Sequence, residues 1–245
     1  MKKLEKGVIY VAVGQDSINE ANRSVKSLKK VMPQLQVSVF TDMPEIVDGG
    51  FDAIRNINLT DDFKLDRMEC FLESPYLKTV YIDADTIICG KFYELFDILD
   101  CFDFAIAHSP ISYDFPLKNV PSSFQQMNCG IMAYSGSNKV KKFIDTWKKT
   151  HVELEKDNVI PGDETSFREA AYDSDLRIAI IQSGYNFRVN SPNIITDRSD
   201  IKILHGHSQN LDTILSKIKG LCGFGFYVPK FINGDLYDCD IIIET

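Results

Sequence analysis

Three short strand-like runs, the wholly apolar Val8–Val13 and then Gln36–Phe40 and Lys78–Ile82, are separated by segments whose apolar residues recur at helical spacing. This alternation constrains the fold more than any other feature of the chain. Runs that are apolar throughout suit strands covered on both faces, as in a sheet with helices on each side. Gly14 ends the first run. Ser17 or Asn19 is placed to cap a helix carrying Ala21, Val25, Leu28 and Val31, which Pro33 stops. Asp61 or Asp62 caps a second helix through about Leu72, broken at Ser74-Pro75. The third run leads straight into Asp83-Ala84-Asp85. Strands alternating with helices predict an α/β fold with a parallel or mixed sheet.

The second half is less regular. Asp103–Ala107, Cys129–Tyr134, Arg177–Ile181 and Ile201–Leu204 read as strands, and Asn138–Lys156 as a long helix with Val140, Phe143, Ile144 and Trp147 on one face. Gly162–Tyr172 reads as a further helix. Residues 109–127, rich in Pro and Ser, read as a long loop. No linker divides the chain, so residues 1–245 are expected to form one domain. A hydrophobic content of 44% is enough for a buried core, and a net charge of −8 argues against a general nucleic-acid or anionic-lipid binder. The six cysteines form no C-x-x-C pair and are expected to be reduced, which implies a cytoplasmic protein. Val8–Val13 is too short for the apolar core of a signal peptide, and no stretch approaches the roughly 18 apolar residues of a spanning helix. Nothing in the sequence gives the oligomeric state.

Chemistry concentrates at Tyr81-Ile82-Asp83-Ala84-Asp85-Thr86. Carboxylates two apart in extended backbone point the same way, and strand ends in an open α/β sheet are where ligands bind. Two hard oxygen ligands there suit Mn²⁺ or Mg²⁺ on a diphosphate. The remaining phosphate, hydrolase and zinc-protease motifs are absent. Gly220–Phe226 is glycine-rich but lacks the strand–helix setting of a phosphate cradle. Asp83-Ala84-Asp85-Thr86-Ile87 also resembles the motif of haloacid-dehalogenase-type phosphatases, in which the first Asp is the nucleophile. That motif normally occupies the first strand of its domain, with a later Lys and acidic pair, and this chain supplies neither context.

The run Arg67–Thr86 resembles the segment leading into the D-x-D motif of glycosyltransferase family 8, the glycogenin and bacterial galactosyltransferase group. Three further blocks follow in that family's order. Gln126–Met132 is similar to its F-N-x-G-V motif, Pro161–Thr165 to its G-D-Q block, with Glu164 replacing Gln, and Ile203–His207 to its late strand and histidine. The family's K-P-W is missing after Ser208-Gln209-Asn210, with Lys217 or Lys219 as the nearby substitutes.

The resemblance implies a GT-A type fold, a Rossmann-like α/β/α sandwich with a mixed central sheet. About residues 1–100 would bind the nucleotide, and 101–245 would shape the sugar and acceptor side. It implies a metal-dependent transfer of a hexose from a UDP-sugar to a carbohydrate or glycan acceptor, with retention. Asp83, Asp85 and His205 would hold the metal, with His207 as the alternative histidine. Arg67, Asn128 and Asp163 would orient the donor sugar, and Gly130 would let the backbone approach it. A carboxylate of the 163–164 block would help orient the acceptor, the Glu164 replacement leaving the role of that position open; were the transfer inverting, Asp163 or Glu164 would be the candidate base. Ala84 lies between the ligands. Val11, Ala12 and Val13 would border the base, and Asp42 would hydrogen-bond it. Tyr185-Asn186 matches a pair seen in related enzymes and reads as structural. A nucleotide-sugar-binding protein without turnover remains the non-enzyme alternative.

Overall fold

The structure, a computed structural model, describes residues 3–110, 117–156, 162–195, 201–208, 210–219 and 225–243. In chain order the strands and helices are β1 (Leu4–Ala12), α1 (Gly14–Val31), β2 (Val37–Thr41), β3 (Ala53–Asn56), α2 (Phe63–Leu72), β4 (Tyr76–Ile82), β5 (Thr86–Ile88), α3 (Glu94–Asp97), β6 (Phe104–His108) and β7 (Met127–Ser135). They continue with α4 (Asn138–Lys156), α5 (Asp163–Tyr172), β8 (Ile178–Ile180), β9 (Phe187–Arg188), β10 (Asn193–Ile195), β11 (Ile203–His205), α6 (Leu211–Lys219), β12 (Gly225–Ile232) and β13 (Asp235–Ile243).

Seven strands form the central sheet in the order β3-β2-β1-β4-β7-β6-β8. The β1–β2, β2–β3, β1–β4 and β6–β8 pairs are parallel, while β7 runs antiparallel to both neighbours. The sheet is therefore mixed. Alternate residues of each strand face opposite layers. Val8, Tyr10 and Ala12 pack with α1 and α3, whereas Ile9 and Val11 pack with α2, α4 and α5. Two minor sheets follow, β5-β11-β9 and β10-β12-β13, the latter sharing a third core with α6. No described helix is long and apolar enough to cross a membrane.

A local rule explains the start of the second helix. Asp62, of the two acids expected, caps α2: its side chain accepts from the N–H groups of Lys64 and Leu65. The first helix departs from expectation. It begins at Gly14, not beyond Ser17 or Asn19, and Val13 at its cap position makes no side-chain cap bond. The cap comes from a distance, because Asp42 Oδ1 accepts from the Gly14 N–H at 3.0 Å. Gly14 takes a φ of +76°, which turns the chain sharply out of β1. Strand β3 was not anticipated. It is an edge strand alternating between half-buried and exposed positions, and its apolar signal is weak. Within the expected 109–127 loop, residues 117–126 carry no helix or strand and residues 111–116 lie outside the described part. Cys70, Cys89, Cys101, Cys129 and Cys239 are free thiols; Cys222 lies outside the described residues, as do residues 220–224 of the glycine-rich run.

Candidate active site

Strand order reverses at β1: the chain continues from it to β2 and β3 on one side and then returns to β4, parallel to it, on the other. Ligand crevices in open α/β sheets form at the carboxyl ends of strands flanking such a point. A cleft of roughly 510 Å³ lies there, bordered by Val11, Val13, Arg67, Asp83, Asp85 and His205.

The turn carrying the two aspartates is clamped by backbone bonds. Asp83 N–H donates to Gly130 O (2.8 Å), and Gly206 N–H donates to Asp85 O (2.9 Å). Thr86 pairs in register with His205 across β5 and β11. His205 is almost fully buried, and its Nε2 lies 3.4 Å from Asp83 Oδ2 and 3.3 Å from Asp85 Oδ1. The three ligand atoms all lie within 4.8 Å of one another. His207, three-quarters exposed, contacts Glu20 Oε1 (3.0 Å) and comes no nearer than 3.7 Å to Asp85.

Asn186 sets the His205 ring. Its Oδ1 lies 2.7 Å from Nδ1, so the neutral imidazole keeps its proton there and turns Nε2 toward the carboxylates. A buried amide chain extends from this contact. Asn186 Nδ2 donates to Asn128 Oδ1 (2.6 Å), Asn128 donates to Glu164, and Gln126 Nε2 donates to Glu164 Oε2 (3.1 Å). Two amide donors call for an acceptor-only group, which explains a glutamate at position 164. Gly130 also makes room within the protein itself. A Cβ there would stand 2.7 Å from His205 Nδ1 and 2.8 Å from Nε2, so the missing side chain makes room for the histidine ring.

Arg67, on α2, is mostly buried and bridges two carboxylates. It donates to Asp83 Oδ1 (3.3 Å) and to Asp163, the first residue of α5. The Tyr81 hydroxyl also donates to Asp83 Oδ1. Burial disfavours the charged guanidinium, but Tyr81 and Asp83 more than offset this and raise its pKa. Burial likewise favours the neutral form of Asp85, yet the His205 charge and hydrogen bond, with His207 and Arg188, hold its carboxyl well below the usual range. For His205 burial pulls the pKa down, and Asp85 and Asp83 carry it above the ordinary value.

Ala12 is fully buried on the α1 face of the sheet, and Ala84 lines the cleft between the two aspartates. Asp42 caps α1, as described above. Lys217 donates to Asp238 Oδ1 (2.5 Å) and Cys239 O (3.0 Å) on β13 and so is committed to the terminal hairpin. The structure supplies another cation that sequence reasoning missed: Arg188, at the end of β9, whose Nη1 lies 3.0 Å from His205 Nε2. Its only local signal is a place two positions beyond Asn186. Pairing of β9 with β11 puts Arg188 beside His205.

No protein-family model matches the sequence, and no curated protein matches it significantly. Solved structures do. The glycosyltransferase GlyE of Streptococcus pneumoniae TIGR4 superposes with a TM-score of 0.60 at 16% identity, over 89% of this chain and 61% of GlyE. Its apo form gives 0.59 at 17% identity, again over 89% and 61%. The chain thus spans about three fifths of the GlyE chain. The galactosyltransferase LgtC, solved in complex with donor and acceptor sugar analogs, gives 0.58 at 12% identity, over 87% of this chain and 94% of LgtC. At these identities the likeness bears on architecture: the chain has the GT-A-like fold of these glycosyltransferases.

Proposed function

We propose that the protein is a metal-dependent glycosyltransferase that moves a hexose from a UDP-sugar to an acceptor hydroxyl on a carbohydrate or glycan, with retention. In this reading residues 1–245 act as one catalytic domain, with about 1–100 holding the nucleotide. The observation that carries it is the buried His205, turned by Asn186 so that Nε2 meets both Asp83 and Asp85 in the switch-point cleft. One imidazole nitrogen and two carboxylate oxygens suit Mn²⁺ or Mg²⁺. When bound, the ion supplies Lewis-acid neutralisation of charge on the departing diphosphate.

The chain's own residues do the rest. Val11 and Val13 border the space for the base. Arg188 and Arg67 place positive charge beside the phosphates, where it stabilises the charge that develops as UDP leaves. Arg67 holds Asp163 at the start of α5, and the Asn128–Glu164 pair fixes the wall behind the donor sugar. Neither carboxylate is positioned as a free general base, since Asp163 accepts from Arg67 and Glu164 from two amides. That supports retention over inversion. The phosphatase reading is disfavoured because Asp83 Oδ1 already accepts from Tyr81 and Arg67, which leaves it poorly placed as a nucleophile.

UDP release from a panel of UDP-sugars with Mn²⁺ tests the proposal. Release from one donor, abolished by EDTA, identifies the sugar. Phosphate release from a monoester without any nucleotide-sugar turnover would replace the reading with a phosphatase. Metal-dependent UDP binding without release would point to a silent binding protein.

A further inference from the structure

A second cluster away from the cleft repeats the same ligand types. Asp62 Oδ1 serves as the α2 cap, accepting from Lys64 N–H (2.8 Å) and Leu65 N–H (3.3 Å). Asp62 Oδ2 is buried without a hydrogen-bond partner and lies 3.3 Å from His151 Nε2. Glu155, one turn further along α4, places Oε1 3.4 Å from the same nitrogen. The three ligand atoms lie within 4.8 Å of one another. His151 is 0% exposed, and its Nε2 has no hydrogen-bond partner.

The ring is oriented from its other side. Ser166 Oγ donates its single proton to Asp163 O (3.0 Å) and accepts from Trp147 Nε1 (3.0 Å). It is therefore an acceptor for His151 Nδ1, 3.3 Å away. A proton on Nδ1 leaves the lone pair of Nε2 facing two carboxylates. Three electron-rich atoms within 4.8 Å of one another, with His151 Nε2 and Asp62 Oδ2 both buried, need positive charge between them. A proton on Nε2 would serve a carboxylate lying along the N–H axis, and neither carboxylate makes that bond. A cation seated among the three satisfies them together. Ligand atoms about 2.0–2.1 Å from a tetrahedral zinc ion stand about 3.3–3.4 Å apart, which matches the two separations from Nε2. Two carboxylates balance a divalent charge, and the imidazole favours Zn²⁺ over the oxygen-seeking Mg²⁺ and Ca²⁺. Glu155, 44% exposed, leaves the outer coordination position open to water.

We propose that Asp62, His151 and Glu155 form a structural Zn²⁺ site that fastens the start of α2 to α4. Helix α2 carries Arg67, so the site steadies the helix that reaches Asp83 and Asp163. The test titrates Zn²⁺ alone into the full chain carrying Asp83→Asn and Asp85→Asn, which removes the cleft carboxylates. Expected is one equivalent bound with a raised melting temperature. Adding Glu155→Gln weakens binding by about tenfold or more, and adding His151→Gln abolishes it. Glu155 is on the outer side of α4, so its variant keeps the fold, checked by an unchanged circular dichroism spectrum. Absence of Zn²⁺ binding in the Asp83→Asn/Asp85→Asn chain, or binding unaltered by Glu155→Gln and His151→Gln, would overturn the proposal.

Discussion

The two His–carboxylate clusters share ligand types and spacing but differ in what surrounds them. In both, a buried histidine is steadied through Nδ1 by a neutral oxygen, from Asn186 in one and Ser166 in the other. In both, Nε2 faces two carboxylates at 3.3–3.4 Å. The cleft cluster is built from strand ends far apart in the chain and opens onto space flanked by Arg67 and Arg188. The second is built from a helix cap and one turn of a neighbouring helix, with its ligands already tied into packing. The difference teaches that donor atoms alone do not make a reaction centre. Cations placed for phosphate, and room beside them, separate a site suited to catalysis from one suited to holding two helices together.

The largest effect that should separate the clusters is on turnover. Asp85→Asn should lower the rate of UDP release by roughly 10³-fold or more, since it removes a ligand and the charge it balances. Steady-state kinetics check this, and a loss below tenfold would place the chemistry elsewhere. Next come the residues that orient each ring. Asn186→Ala should weaken Mn²⁺ binding about 10- to 100-fold, read by metal titration. Ser166→Ala should weaken Zn²⁺ binding at the second cluster less, because its contact to the ring is longer. Equal effects would erase the distinction.

A smaller effect is on pH. The raised pKa of His205 means that metal competes with a proton there more than at an ordinary imidazole. Mn²⁺ affinity should therefore rise with pH until His205 has lost its proton, by no more than about tenfold per unit, with proton release. Calorimetry in buffers of different ionisation enthalpy measures both. In the metal-free chain the sign for stability is the opposite: the His205 contribution is present below its unfolded pKa and fades as pH rises through the folded value. The smallest effect is at Asp62. Asp62→Ala in EDTA should cost about 1 kcal/mol by loss of the α2 cap alone, measured by urea denaturation. No change there would mean that the cap is redundant.

Much of this architecture was legible in the sequence for physical reasons. Val8–Val13 is apolar on both faces, which marks an interior strand, and Asp62 is a local cap for a local helix. Asp83, Asp85 and His205 could be named because motif and order are local properties. Three things were not legible. The Asp42 cap on α1 depends on β1 and β2 lying side by side. Arg188, and the room that Gly130 leaves for His205, depend on β9, β7 and β11 meeting around one ring. The terminal hairpin does have a sequence signal: Asn233-Gly234, both with positive φ, between β12 and β13. The resemblance ends before it, and that turn is the mark that identifies it.

The central claim is that Asp83, Asp85 and His205 bind a metal on which donor binding depends. Calorimetric titration of UDP into the chain with and without Mn²⁺, and into Asp85→Asn with Mn²⁺, tests it most directly. The account predicts binding only in the wild-type chain with Mn²⁺. Equal UDP binding in all three conditions would contradict it.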